Sequence, residues 1–195
     1  MPRYDREERA DAQTLFSFCS ELFMLGIQIN SGTVELPGWE SLKRRVLLLF
    51  ESLRNNARET GLAEADVQDV TYALAAYLDE MIQYSEFGDK SQWSASPLQA
   101  TIFGESRAGV RFFERLEVGR RGSEAALRVY YACLALGFMG EYRFGREEEH
   151  AQRVSDLRRE LFRRRPKPLS VNGARPDDRG FGGRHFRLLP LAGLA

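Results

Sequence analysis

The stretch "YALAAYLDEMI", Tyr72 to Ile82, reads as the middle of a buried helix until it reaches Asp79 and Glu80. Consecutive residues on an α-helix point about 100° apart, so these neighbouring carboxylates cannot face each other as an acid/base couple. With Leu78 at the centre of the face, Val67, Val70, Leu74, Met81 and Ile82 gather around it as one apolar stripe. Asp79 falls to one side near Tyr72 and Ala75, and Glu80 falls on the back with Ala73, Ala76 and Tyr77. A solvated back face would read Lys, Glu, Gln or Arg. Ala, Ala, Tyr and Tyr imply a helix that is packed or grooved on more than one side. Residue types alone leave two uses for the acids. They cap a neighbouring helix or pair with an arginine, as half-buried carboxylates often do, or they line a cleft that receives a partner.

Outward from this helix, expected over about Glu64 to Ser85, the chain reads as helical nearly throughout. Leu15, Phe16, Cys19, Leu22, Phe23 and Gly26 form one stripe of a helix over about Arg6 to Ile29. Leu42, Val46, Leu49, Phe50 and Leu53 share a face over about Trp39 to Glu59, with Pro37 near the start and Gly61 placed to end it. Pro97 opens a short helix to Phe103, and Val110, Phe112, Phe113 and Leu116 mark another. Ser123 is a good N-cap for a helix through Phe138, whose stripe of Leu127, Tyr130, Tyr131, Leu134 and Phe138 reads as core. A charged helix over about Glu147 to Arg164 has acids at its start and arginines at its end, matching the helix dipole. Only "GTVEL" could form a strand, and nothing obvious would pair with it. The expectation is an all-α protein of about seven helices. Trp39 and Trp93 sit in or beside loops, where tryptophan is more often a lid on the core than a binding anchor.

Hydrophobic content of 43% and charged content of 29% are globular values, which argues against wholesale disorder. Net charge is zero but lopsided: residues 1–100 carry 9 basic and 16 acidic side chains, while residues 151–195 carry 11 basic and 4 acidic. Residues 166–195, rich in Pro and Gly, read as a flexible basic linker after a helical domain over 1–165. Its cations, with Arg163, Arg164, Arg165, Lys167, Arg184 and Arg187 foremost, suit an anionic membrane surface. Cys19 and Cys133 sit inside apolar helical patterns and read as small core residues in a reducing setting. No uninterrupted apolar run reaches the roughly 18–20 residues that span a bilayer.

Motifs for chemistry are missing. No glycine-rich loop leads to Lys-Ser/Thr, and no G-x-G-x-x-G follows a strand. "GESRAG" has Ala108 where a nucleophile elbow needs its second glycine. The two histidines, His150 and His185, and the two cysteines lack metal-site spacing, so no cofactor or metal is expected. A hydrolase would require Ser106 and His150 to be adjacent. A nucleic-acid-binding protein using the Arg-rich segment from Arg153 to Arg187 is the rival from another class; the acidic body argues against it, and no nucleic acid is expected.

Four pieces stand in one order: "YALAAYLDEMI", a loop with "QWS" and "PLQ", then "FGE" with "AG" and "FFERL", and "YYACLALGFMGEYRF". This order resembles the DotU/TssL (IcmH-like) family of bacterial secretion systems, most closely its type VI branch, over about residues 10–165. The resemblance implies two small helical bundles forming a hook, on the cytoplasmic face of the inner membrane and tethered by a single C-terminal transmembrane helix. The sequence is read as stopping short of that helix. It implies a structural, non-catalytic role in the membrane complex, joining the IcmF-like (TssM) protein and docking the baseplate protein TssK, with room for a homodimer. It also implies an acidic partner-binding cleft at Asp79 and Glu80, to which Tyr72, Tyr77 and Trp93 are assigned. Charge reversal of the two acids is then expected to weaken partner capture without unfolding. One departure is Glu141, where the family's "GF-x-G-x-Y" motif usually carries a basic residue.

Overall fold

The computed structural model describes residues 3–105, 108–119 and 123–164, and every regular element among them is helical. In chain order these are α1 (Arg3–Phe18), α2 (Ser20–Ser31), α3 (Trp39–Glu59), α4 (Glu64–Tyr84), α5 (Lys90–Ala95), α6 (Leu98–Phe103), α7 (Ala108–Gly119), α8 (Glu124–Ala135), a 3-10 turn (Gly140–Tyr142) and α9 (Glu147–Arg164). "GTVEL" is irregular, so the chain keeps no strand there.

The helix of the opening stretch, α4, is the hub. It contacts α2, α3, α5, α6, α7 and α8, and every residue from Val70 to Leu78 is buried. That is why its back face is Ala and Tyr. Small Ala73 lets α8 approach until the Cys133 thiol lies 3.8 Å from its carbonyl oxygen. On another side Tyr77 lies against Gly26 of α2; a Cβ there would stand 2.2 Å from the ring. Thr71, the one hydroxyl side chain besides the tyrosines in that buried run, satisfies itself by donating to the Val67 carbonyl at 2.7 Å.

Around α4, α1, α2 and α3 pack on one another, and α7, α8, α9 and the 3-10 turn do likewise. The two groups meet where α1 lies along α8, and the buried apolar side chains form one contiguous cluster from Ala12 to Leu157. The second group is knit by aromatics: Phe112 lies 4.2 Å from Phe138 and 4.8 Å from Tyr130, ring centre to ring centre. Each such buried ring contributes on the order of 2–3 kcal/mol by leaving water.

The long first helix expected from periodicity is two helices. The Cys19 amide bonds to Phe16 at 3.1 Å, a tightened turn, and α1 and α2 meet at a 44° bend. Both arms keep the apolar stripe, which is why periodicity alone could not show the break. The expected loop around Trp93 contains α5. Ser123 accepts from the Ala125 amide at 3.0 Å, and Gly61, at φ 74°, follows the last turn of α3. Cys19 and Cys133 are both buried free thiols. No single described helix is long and apolar enough to cross a membrane. The basic linker expected over 166–195 lies outside the described residues.

Candidate functional site

Asp79 leaves α4 toward α6, whose first-turn amides have no partners of their own helix to use. Pro97 precedes that helix and has no side-chain acceptor to offer as a cap. Asp79 supplies it from a distance: Oδ1 accepts from the Leu98 amide at 2.8 Å and Oδ2 from the Gln99 amide at 2.9 Å. Oδ1 also accepts the Trp93 indole N–H at 2.8 Å, so α5 and α6 hang from one carboxylate. Its negative charge meets the positive end of the helix dipole, though on so short a helix the amide bonds matter more. Lys43 of α3 reaches the same corner, donating to the Ser96 carbonyl and, at 2.6 Å, to its hydroxyl. Burial raises the Asp79 carboxyl above its ordinary range, against the pull of the three N–H donors and Lys43. Burial lowers Lys43, partly offset by Asp79.

Glu80 turns the other way, as adjacent helical positions must. Its Oε1 accepts from the Met139 amide at 2.7 Å and its Oε2 from the Gly140 amide at 2.8 Å, and the Arg143 guanidinium donates to Oε1 as well. Gly140 adopts φ 51°, and a Cβ there would stand 2.8 Å from the Gly109 carbonyl oxygen, so the turn accepts only glycine without displacement. The Arg143 guanidinium carbon lies 3.8 Å over the centre of the Tyr84 ring, a cation–π contact.

Between these two braces lies an open groove of about 420 Å³, with Asp79, Glu80 and Trp93 in its lining and Gln83, Tyr84 and Ser94 exposed along it. Of the five residues assigned to the cleft, the structure brings those three together. Tyr72 and Tyr77 lie elsewhere. Tyr72 is buried beside Phe103, donates to Glu105 at 3.2 Å and carries Arg115 4.0 Å over its ring; burial and Glu105 push its hydroxyl up to about 12. Tyr77 is buried against Phe23 and Gly26. Both point where their α4 positions send them, so a shared helix face with an acid does not mean a shared pocket.

Of the tail cations, Arg163 and Arg164 end α9, whereas Arg165, Lys167, Arg184 and Arg187 lie outside the described residues. Ser106 does too, and buried His150 has its Nε2 on the Phe138 carbonyl at 2.8 Å. Glu141 stands 3.8 Å from Arg146, so the unusual acid has a local cation. Lys43, Arg143 and Tyr84 were not legible as site residues. The remote cap had no signal either, because Ser96 just before Pro97 offers an ordinary N-cap in the sequence. The Glu80 clamp had none, since it joins residues about sixty positions apart.

Comparison with known proteins gives a consistent picture. The family described as "Type VI secretion system protein DotU" matches residues 14–195. Among solved structures, the cytoplasmic domain of TssL from Acinetobacter baumannii is 30% identical with a TM-score of 0.73, covering 78% of this chain and 99% of that one. SciP/TssL from enteroaggregative Escherichia coli 042 is 28% identical, TM-score 0.65, covering 79% and 89%. TssL from Vibrio cholerae is 27% identical, TM-score 0.66, covering 77% and 97%. Two curated proteins named 3-phosphoshikimate 1-carboxyvinyltransferase also match. The one from Aeromonas salmonicida is 34% identical over 63% of this chain and 26% of its own length. The one from Photobacterium damsela subsp. piscicida is 30% identical over 65% and 27%. The matched region is thus about a quarter of those proteins, and the name describes them.

Proposed function

The chain belongs to the DotU family of type VI secretion system proteins, and from that premise we propose that it is a docking component of the system's membrane complex. Its helical body sits on the cytoplasmic face of the inner membrane, where it joins the IcmF-like (TssM) protein to the baseplate through TssK. Docking, without catalysis, is its task. The observation that carries this is the groove itself: two carboxylates of one central helix hold its opposite walls, α5–α6 and the 138–143 segment, at a fixed separation. Preformed concavity lowers the ordering cost of association. The basic segment after α9 is proposed to lie on anionic lipid, as a juxtamembrane polybasic stretch would.

Substituting exposed groove residues tests docking without touching the braces. Gln83→Arg with Ser94→Arg fills the opening with long side chains, and both positions are exposed. Capture of TssK or of the IcmF-like protein should fall at least about tenfold with circular dichroism unchanged, the scale of a centrally placed contact. Undiminished capture of both would sink the groove as the docking site.

A further inference from the structure

We propose that a second hollow, between the α2–α3 loop and the α4–α5 loop, docks a segment of a partner protein that carries an apolar side chain beside an arginine or lysine. This goes beyond the groove and rests on the docking reading only in requiring that a partner protein bind.

The hollow encloses about 380 Å³, toward the small end of the ~300–1,000 Å³ usual for binding pockets. Its apolar lining comes from Ile29 and Phe87, both buried core residues, from half-buried Leu36 and from Val34, which is 43% exposed. Both loops are pinned before any partner arrives. Asp89 Oδ2 accepts from the Trp39 amide at 3.0 Å, which ties the second loop to the start of α3. Ser85 Oγ donates to the Ile82 carbonyl at 2.9 Å and accepts from the Phe87 amide at 3.2 Å, which holds the turn after α4. A preformed hollow lowers the ordering cost of association.

Charge selects the occupant. Glu35, Glu86 and Asp89 line the hollow, and no Lys, Arg or His does. Lys90 follows Asp89 in the chain and donates to the Ser85 carbonyl at 3.2 Å, one cation beside three acids. Asp89 is used on the Trp39 amide. Glu35 and Glu86 are exposed and, among the described residues, make no hydrogen bond or ion pair. The groove is the reverse case, since Asp79 and Glu80 are each committed to three donors. Free acids beside an apolar lining suit a segment that buries an apolar side chain while its cation stays hydrated at the mouth. An anionic segment would be repelled. Among the described residues no group of three His, Cys, Asp or Glu side chains could hold a metal ion, so a bare cation is not the occupant. The acids speed encounter and are screened by salt, whereas apolar contact governs how long the complex lasts.

The test measures association and dissociation rates of the full chain with purified TssK and, separately, with the cytoplasmic part of the IcmF-like protein. Salt is set at about 50 mM and about 500 mM, which brackets weak and strong screening. In Glu35→Lys with Glu86→Lys, association with one of them should slow at least about tenfold at low salt and less than about twofold at high salt. In Val34→Ser, dissociation of the same protein should quicken at least about threefold at both salts, because apolar contact is not screened. All three positions are exposed, so the urea midpoints should match that of the wild type. Wild-type rates in either variant overturn the proposal, as does a charge-reversal effect of equal size at both salts. Capture lost only in Gln83→Arg with Ser94→Arg does so too, and leaves the groove standing. Self-association of the wild type that charge reversal abolishes overturns it by making the occupant a second copy. If neither protein binds the wild type, the docking reading fails and this inference with it.

Discussion

Removing the Asp79 carboxylate separates a brace from a recognition element. In Asp79→Ala the Leu98 and Gln99 amides and the Trp93 indole lose their acceptor together. An unsatisfied buried donor costs about 1–3 kcal/mol. All three donors belong to buried residues, with Leu98 at 0%, Gln99 at 1% and Trp93 at 1% exposure, so none of them is easily rehydrated. Three such donors sum to about 3–9 kcal/mol, a large part of the roughly 5–15 kcal/mol that holds a domain together. Asp79→Asn keeps one oxygen for two of the donors but turns an amide NH2 toward the third, for about 1–3 kcal/mol. Urea unfolding followed by circular dichroism measures both, and the midpoint should move down in the order wild type, Asn, Ala. In a Trp39→Phe background the remaining tryptophan emission should shift red as Trp93 loosens. A loss below about 1 kcal/mol in Asp79→Ala would refute the bracing argument. So would an Asn variant no more stable than the Ala variant. The same reasoning corrects the expectation that Lys at positions 79 and 80 spares the fold: it would set cations against five N–H donors.

Two further outcomes follow from single observations. Gly26→Ala places a methyl 2.2 Å from the Tyr77 ring, which is locked in the core, so it should destabilise by about 1–3 kcal/mol in the same urea assay; an unchanged midpoint would mean α2 can slide on α4. For pH, the Asp79 carboxyl is raised in the folded protein above its ordinary 3.8, so the native state holds that proton more tightly than the unfolded chain. Its stabilising effect is complete below 3.8 and is lost as pH rises through the folded value. The stability difference between wild type and Asp79→Asn should therefore shrink as pH rises from 3.8, and a widening difference would contradict the direction.

Helix identity was legible because apolar spacing is a local property, and α3 and α9 span the expected Trp39–Glu59 and Glu147–Arg164, whereas α8, expected through Phe138, ends at Ala135 just before Gly137 at φ 106°. The α1–α2 break was not, because the stripe continues across a 44° bend and nothing at Cys19 forbids a helix. α5 was hidden by being a single short turn-rich helix within a stretch of Ser, Asp and Gly. For the site, the Ala and Tyr back face of α4 correctly announced burial on several sides. It could not announce which neighbour each side would meet: Tyr77 meets Gly26, and Tyr72 meets Phe103 and Arg115. Pairings between Glu80 and Gly140, or Asp79 and Gln99, depend on how helices stack, and one sequence carries no signal for that.

The position of the braces changes how effects at this groove should be interpreted. Its walls come from two segments, 93–99 and 138–143, that are about forty residues apart in the chain and are both bonded to α4. Asp79 and Glu80 tie each to that helix, beside the Gln99 side-chain bond to the Tyr72 carbonyl at 2.8 Å and the Ser94–Gln83 bond. Groove width and local stability are therefore set by the same bonds, and any change at either acid alters both. Loss of docking in an acid variant would follow from wall displacement even if no partner atom ever touched a carboxylate. Gln83, Tyr84 and Ser94 are exposed and no backbone amide of either wall hangs on them, although Ser94 bonds Gln83 across from α5 to α4 and Tyr84 packs on Arg143. Recognition must be sought there, and stability at the acids.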